Sequence, residues 1–172
     1  AVIEQEKIFN EFSSGTPDAS AYRRLMKMFY DRAEGNENVR PRYLLLFGDG
    51  SYNNRKSMEK LHSPECNMLL TYQSKTSIDE RESFVIEDYF GFLEDNSGEE
   101  IKVDKVCLGI GRFPISSIKN ARLVVDKLYR YVHDKDFSSW KNNICIAADD
   151  GDEAIHAEQA DRERDTILIK NT

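Results

Sequence analysis

The feature that most restricts the fold of this chain is a set of apolar runs without polar alternation, each stopped by glycine, aspartate or proline. Tyr43-Leu44-Leu45-Leu46-Phe47 halts at Gly48-Asp49-Gly50. Val106-Cys107-Leu108-Gly109-Ile110 leads into Gly111-Arg112-Phe113-Pro114, and Ile144-Cys145-Ile146-Ala147-Ala148 into Asp149-Asp150-Gly151-Asp152. A short continuous apolar run bounded by turn residues is the pattern of a strand buried on both faces, as in a parallel sheet. A shorter run, Met68 to Tyr72, follows the first of these after a polar excursion, Ser51 to Cys66.

Between the runs the period changes from that of a strand to that of a helix. Val2 to Phe12 carries Ile3, Ile8, Phe9 and Phe12 among charged residues, a short amphipathic helix or an irregular lead-in closed by Ser13-Ser14-Gly15-Thr16-Pro17. Asp18 is placed to cap a helix in which Tyr22, Leu25, Met26, Phe29, Tyr30 and Ala33 share one face. Gly35 to Pro41 reads as a polar loop. Ser116 can cap a long helix whose apolar stripe is Ile118, Ala121, Val125, Leu128 and Val132, and Glu153 to Leu168 is compatible with a last, weakly amphipathic helix. Helix alternating with buried strand predicts an α/β layered domain, a mainly parallel sheet flanked by helices and joined by right-handed crossovers. The length suits a single domain over residues 1–172.

Charge and cysteine usage narrow the function. A net charge of -7 is the opposite of what clustered phosphate contacts require, so nucleic acid is not expected as a partner. No stretch approaches the roughly 20 apolar residues of a transmembrane helix, and no charged and apolar leader precedes the first segment, so no export signal is visible. Cys66, Cys107 and Cys145 form neither a disulfide framework nor a zinc spacing. The last two sit in apolar runs, where cysteine behaves as a small hydrophobe.

In open α/β sheets the ligand crevice lies beyond the carboxyl ends of the strands, which directs attention to Gly48-Asp49-Gly50, Gly111-Arg112 and Asp149 to Asp152. The carboxylates of Asp149, Asp150 and Asp152 could hold a hard cation, orient a histidine, or simply begin a helix. Asp49 between glycines is a ligand or a turn residue. Glu87-Asp88-Tyr89-Phe90 sets an acidic pair beside aromatics without matching a known calcium loop. Glu94 to Glu100 reads as a solvated hairpin turn. His62, His133 and His156 are scattered, His133 at a helix end where the dipole accounts for it. No nucleophile signature is present. From the residues alone, a magnesium-dependent phosphohydrolase using Asp49 with Asp149, Asp150 or Asp152, and a noncatalytic module pairing through its strand edges, both stay open.

The pieces taken in order resemble the gingipain-type cysteine peptidases. They are Tyr43 to Tyr52, Leu70-Thr71-Tyr72-Gln73, Glu87-Asp88-Tyr89-Phe90, Gly109-Ile110-Gly111-Arg112-Phe113-Pro114, Val125-Asp126-Lys127 and Ala147-Ala148-Asp149-Asp150, spread from Glu11 to Asp165. The resemblance implies a caspase-like α/β fold of which this chain is the first half. It implies a Cys-His dyad on later strands, beyond Thr172, and an inactive fragment. Within the family it points to the sortase branch of type IX secretion in Bacteroidetes, which removes C-terminal sorting domains from secreted cargo. Asp150 matches the acid that orients the histidine, a glutamate in the gingipains proper, with Asp149 as its neighbour. Calcium is implied near Asp88 and Tyr89, and no other cofactor. The implied partners are the remainder of the peptidase domain and protein cargo, and the implied location is the cell surface, the outer membrane or the secreted fraction.

Overall fold

The computed structural model describes residues 1–55, 68–76, 78–79, 81–136, 138–139, 143–149 and 151–170, with backbone only for Asp152 and residues 167–170. His62, Cys66, Trp140 and Asp150 lie outside the described residues. Contacts group into two compact units, Ala1–Tyr129 and Arg130–Thr172.

The first unit opens with two helices, α1 (Gln5–Phe12) and α2 (Ser20–Arg32). Both are amphipathic as the sequence predicts, and they bury Ile8 and Phe9 from α1 and Ala21, Tyr22, Leu25 and Met26 from α2. The carboxylate of Asp18 accepts the Ser20 N–H at 2.8 Å from one residue before the N-cap position, which is Ala19 and not the expected Asp18. Strand β1 (Tyr43–Phe47) runs parallel to β2 (Gly109–Phe113), with Tyr43 opposite Gly109 and Phe47 opposite Phe113. The α/β class with a parallel sheet is therefore the one found. β2 begins three residues later than its apolar run, because the ladder starts where Gly109 N–H donates to Arg42 O at 2.9 Å, whereas Cys107 N–H turns to Gly91 O at 2.8 Å.

A short 3₁₀ turn, Asp88–Gly91, delivers Tyr89, Phe90 and Gly91 to the interior. The core gathers Ile8, Phe9, Ala21, Tyr22, Leu25, Leu46, Leu70, Tyr89, Phe90 and Phe92. A smaller cluster of Met26, Leu93 and Leu108 adjoins Leu44 and Ile110. Phe90, Phe92, Leu70, Leu93 and Ile115 are the largest fully buried side chains, and each contributes on the order of 2 kcal/mol by burial. Gly91 belongs to this packing, since a Cβ there would lie 2.7 Å from Val106 Cγ1 and 2.8 Å from Ile110 Cδ1. On the other face of β1, Tyr43, Leu45 and Phe47 are 83%, 53% and 38% exposed.

Helix α3 (Ile118–His133) follows β2 after a short connection and crosses into the second unit. Its first turn is held by Ser117, whose Oγ accepts Asn120 N–H at 3.2 Å, one residue after the predicted cap. The predicted stripe exists, but no residue of α3 is buried. In the second unit the predicted strand Ile144 to Ala148 has no ladder partner among the described residues, with Ile144 68% exposed. A 3₁₀ turn, Asp152–Ala154, leads to helix α4 (Ile155–Lys170). Glu94 to Glu100 is a turn, with Ser97 N–H on Glu94 O and Asn96 and Gly98 at positive φ, but no strands flank it among the described residues.

Tyr22 joins the apolar core to a polar one. Its hydroxyl donates to Gln5 Oε1 at 3.0 Å and accepts Leu70 N–H at 3.3 Å, while Gln5 Nε2 donates to Met68 O at 3.0 Å. Burial pushes the Tyr22 hydroxyl up to about 12. Because its pKa is raised on folding, the native state keeps a proton that the unfolded chain releases near pH 10. The associated stability is complete below about pH 10 and is lost as the pH rises through about 12. Urea unfolding at successive pH values is expected to show the wild type losing roughly 2–3 kcal/mol more than Tyr22→Phe across that window. Parallel curves would show that Tyr22 carries no such linkage.

Candidate functional site

The carboxyl ends of β1 and β2 meet, as parallel pairing requires, at a rim built around Arg112. This residue lies inside β2, in register with Leu46. A guanidinium among apolar neighbours is stable only with full pairing, because an unpaired buried charge costs several kcal/mol. Nε donates to Glu87 Oε1 at 2.8 Å and Nη2 to Glu87 Oε2 at 3.1 Å, a two-pronged fork. Nη1 reaches Gly48 O at 3.1 Å, Asp49 O at 3.2 Å and Leu69 O at 3.4 Å, and Nη2 also reaches Leu70 O at 3.0 Å. The Arg112 side chain is 12% exposed and that of Glu87 26%.

One guanidinium thus ties together the end of β1, the segment 68–72 and the approach to the 3₁₀ turn. Asn54 completes the arrangement from the far side. Its Oδ1 accepts Thr71 N–H at 3.1 Å and its Nδ2 donates to Thr71 O at 2.7 Å, an imitation of a strand neighbour by a side-chain amide. Thr71, buried, donates its hydroxyl to Ser51 O at 2.7 Å. The apolar run Met68 to Tyr72 is therefore an extended segment satisfied mainly by Gln5, Tyr22, Asn54 and Arg112. Among the described residues its backbone joins the chain just beyond β1 through the parallel bridge from Asp49 to Met68, with Leu69 N–H on Asp49 O at 2.7 Å.

Asp49 serves the turn, its Oδ1 accepting Gly50 N–H at 2.9 Å. Asp88 is exposed at the start of the 3₁₀ turn, directly after the anchored Glu87. Tyr89 is buried, stacked on Tyr72 with ring centroids 3.4 Å apart, and its hydroxyl donates to Ser20 Oγ at 3.3 Å. Among the described residues no three His, Cys, Asp or Glu side chains converge as a metal site would need. Cys107 Sγ faces two acceptors, Lys105 O at 3.7 Å and Glu94 Oε1 at 3.9 Å. Oxygen acceptors do not create the electropositive setting of a nucleophilic thiolate. In the second unit, Asp149 is exposed and borders a shallow groove of about 550 Å³, lined also by Ile146, His156 and Glu163.

Asn54 and Gln5 were not legible as site residues, and Glu87, read as half of an acidic pair with Asp88, was not legible as the partner of Arg112. The available signal was Arg112 itself: a charge inside a run of Leu, Gly, Ile and Phe implies a paired, buried ion. The partner, however, lies 25 residues away.

The model of peptidase family C25 matches residues 1–171, and the chain belongs to that family of cysteine peptidases. Among solved structures, the chain is similar to dimeric latent PorU from Porphyromonas gingivalis. The two are 39% identical with a TM-score of 0.67, and the match covers 88% of this chain but only 15% of the PorU chain. No curated protein matches.

Gly50 tests the packing of the rim. A Cβ there would stand 2.8 Å from Thr71 Cγ2 and 3.3 Å from Arg112 Cζ, whereas one at Gly111 would meet nothing within 4 Å. Chemical denaturation is expected to show Gly50→Ala destabilised by about 1–3 kcal/mol and Gly111→Ala changed by less than about 0.5 kcal/mol. Equal effects at the two positions would contradict the close packing of Gly50 on the clasp.

Proposed function

We propose that this chain is the N-terminal part of the catalytic domain of a secreted cysteine endopeptidase of sortase type. On this reading the parent enzyme removes C-terminal sorting domains from type IX secretion cargo at the cell surface. The observation that carries it is the family match along nearly the whole chain, joined to the likeness to PorU in both sequence and fold. Among the described residues no helix is long and apolar enough to cross a membrane.

The chemistry assigned to this chain is orientation. Asp150 accepts the N–H of a histidine supplied by the remainder of the peptidase domain, which fixes the imidazole and stabilises the imidazolium formed when it takes the proton of the catalytic thiol. The thiolate adds to the scissile carbonyl, and the histidine returns the proton to the departing amide nitrogen. The resulting thioester passes its acyl group to water or to a surface glycolipid acceptor. Because the dyad belongs to the remainder of the domain, the isolated chain has no peptidase turnover.

Replacing Asp150 by Asn in the parent enzyme removes the acceptor while nearly preserving shape. It is expected to lower kcat by about 10²–10⁴ with little change in KM, by analogy with loss of an orienting carboxylate in other nucleophile-histidine systems. Asp150→Glu, the residue of the gingipains proper, is expected to retain most activity. Undiminished turnover in Asp150→Asn would remove Asp150 from the mechanism.

Calcium is proposed at the loop of Asp88 and Tyr89, where the exposed Asp88 carboxylate follows a backbone anchored at Glu87. Hard cations take such oxygen ligands; the Tyr89 hydroxyl is held on Ser20 and its carbonyl accepts Phe92 N–H at 3.4 Å, so the Asp88 carboxylate is the exposed oxygen donor of the pair. A ligand that binds only the folded state raises the melting temperature. Added calcium is expected to raise the Tm of the parent enzyme, and Asp88→Asn is expected to reduce that increase. A Tm indifferent to calcium and to chelator would exclude the site.

A further inference from the structure

We draw no further inference here: the strongest candidate, the exposed apolar sheet face of Tyr43 and Leu45 on β1, carries nothing because nothing in the structure shows what covers it.

Discussion

The first unit depends on one partly buried cation. Arg112 is placed inside a parallel strand, where its charge has to be met in full. The groups that meet it come from three separate stretches of chain: the end of β1, the segment 68–72 and Glu87. Four of the six contacts are to backbone carbonyls, so the clasp positions main chain more than side chains. A lysine would keep the charge but lose the planar fork that grips Glu87 with two parallel bonds. The geometry explains why Gly50 has no side chain, and why a five-residue strand can end in a turn and still be followed by an ordered extended segment.

That segment shows how a sheet edge can be satisfied without another strand. Met68 O, Leu70 N–H, Thr71 N–H and Thr71 O are met by Gln5, Tyr22 and Asn54 rather than by a ladder. Buried backbone groups must find partners, and side-chain amides and hydroxyls supply the same donors and acceptors as a neighbouring strand. The hydrogen bonds reach back to α1, so the N-terminal helix belongs to the support of the rim as well as to the apolar core.

What the sequence shows and what it hides follow from the range of the interactions involved. The strand Tyr43 to Phe47, the second helix and the long helix after Pro114 are set by local period and lie where the pattern places them, the first segment takes the helical of its two readings, and β1 is covered on one face where its unbroken apolar run predicts two. β2 begins at Gly109 rather than Val106 because pairing with Arg42 and β1 decides the ladder, and apolar content alone does not report pairing. Ile144 to Ala148 has the composition of a buried strand and no ladder partner among the described residues. Composition expresses a preference for burial, whereas strand formation requires a neighbour. Of the proposed site, Asp88 and Tyr89 are placed at the 3₁₀ turn and Asp150 lies outside the described residues. The Arg112 clasp was hidden because its partners are separated from it by 25 to 64 residues, and no local pattern encodes such a pairing.

Hydrogen exchange at the amides of Leu69, Leu70 and Thr71 in Arg112→Lys tests the clasp most directly. These amides are held by Asp49 O, the Tyr22 hydroxyl and Asn54 Oδ1, none of which the substitution removes. If the guanidinium organises the segment, all three should lose protection together, by about tenfold or more, since that corresponds to only about 1.4 kcal/mol of local opening. If the three amides exchange as slowly in the variant as in the wild type, the segment is held by its other partners and Arg112 is not the constraint on which the rim depends.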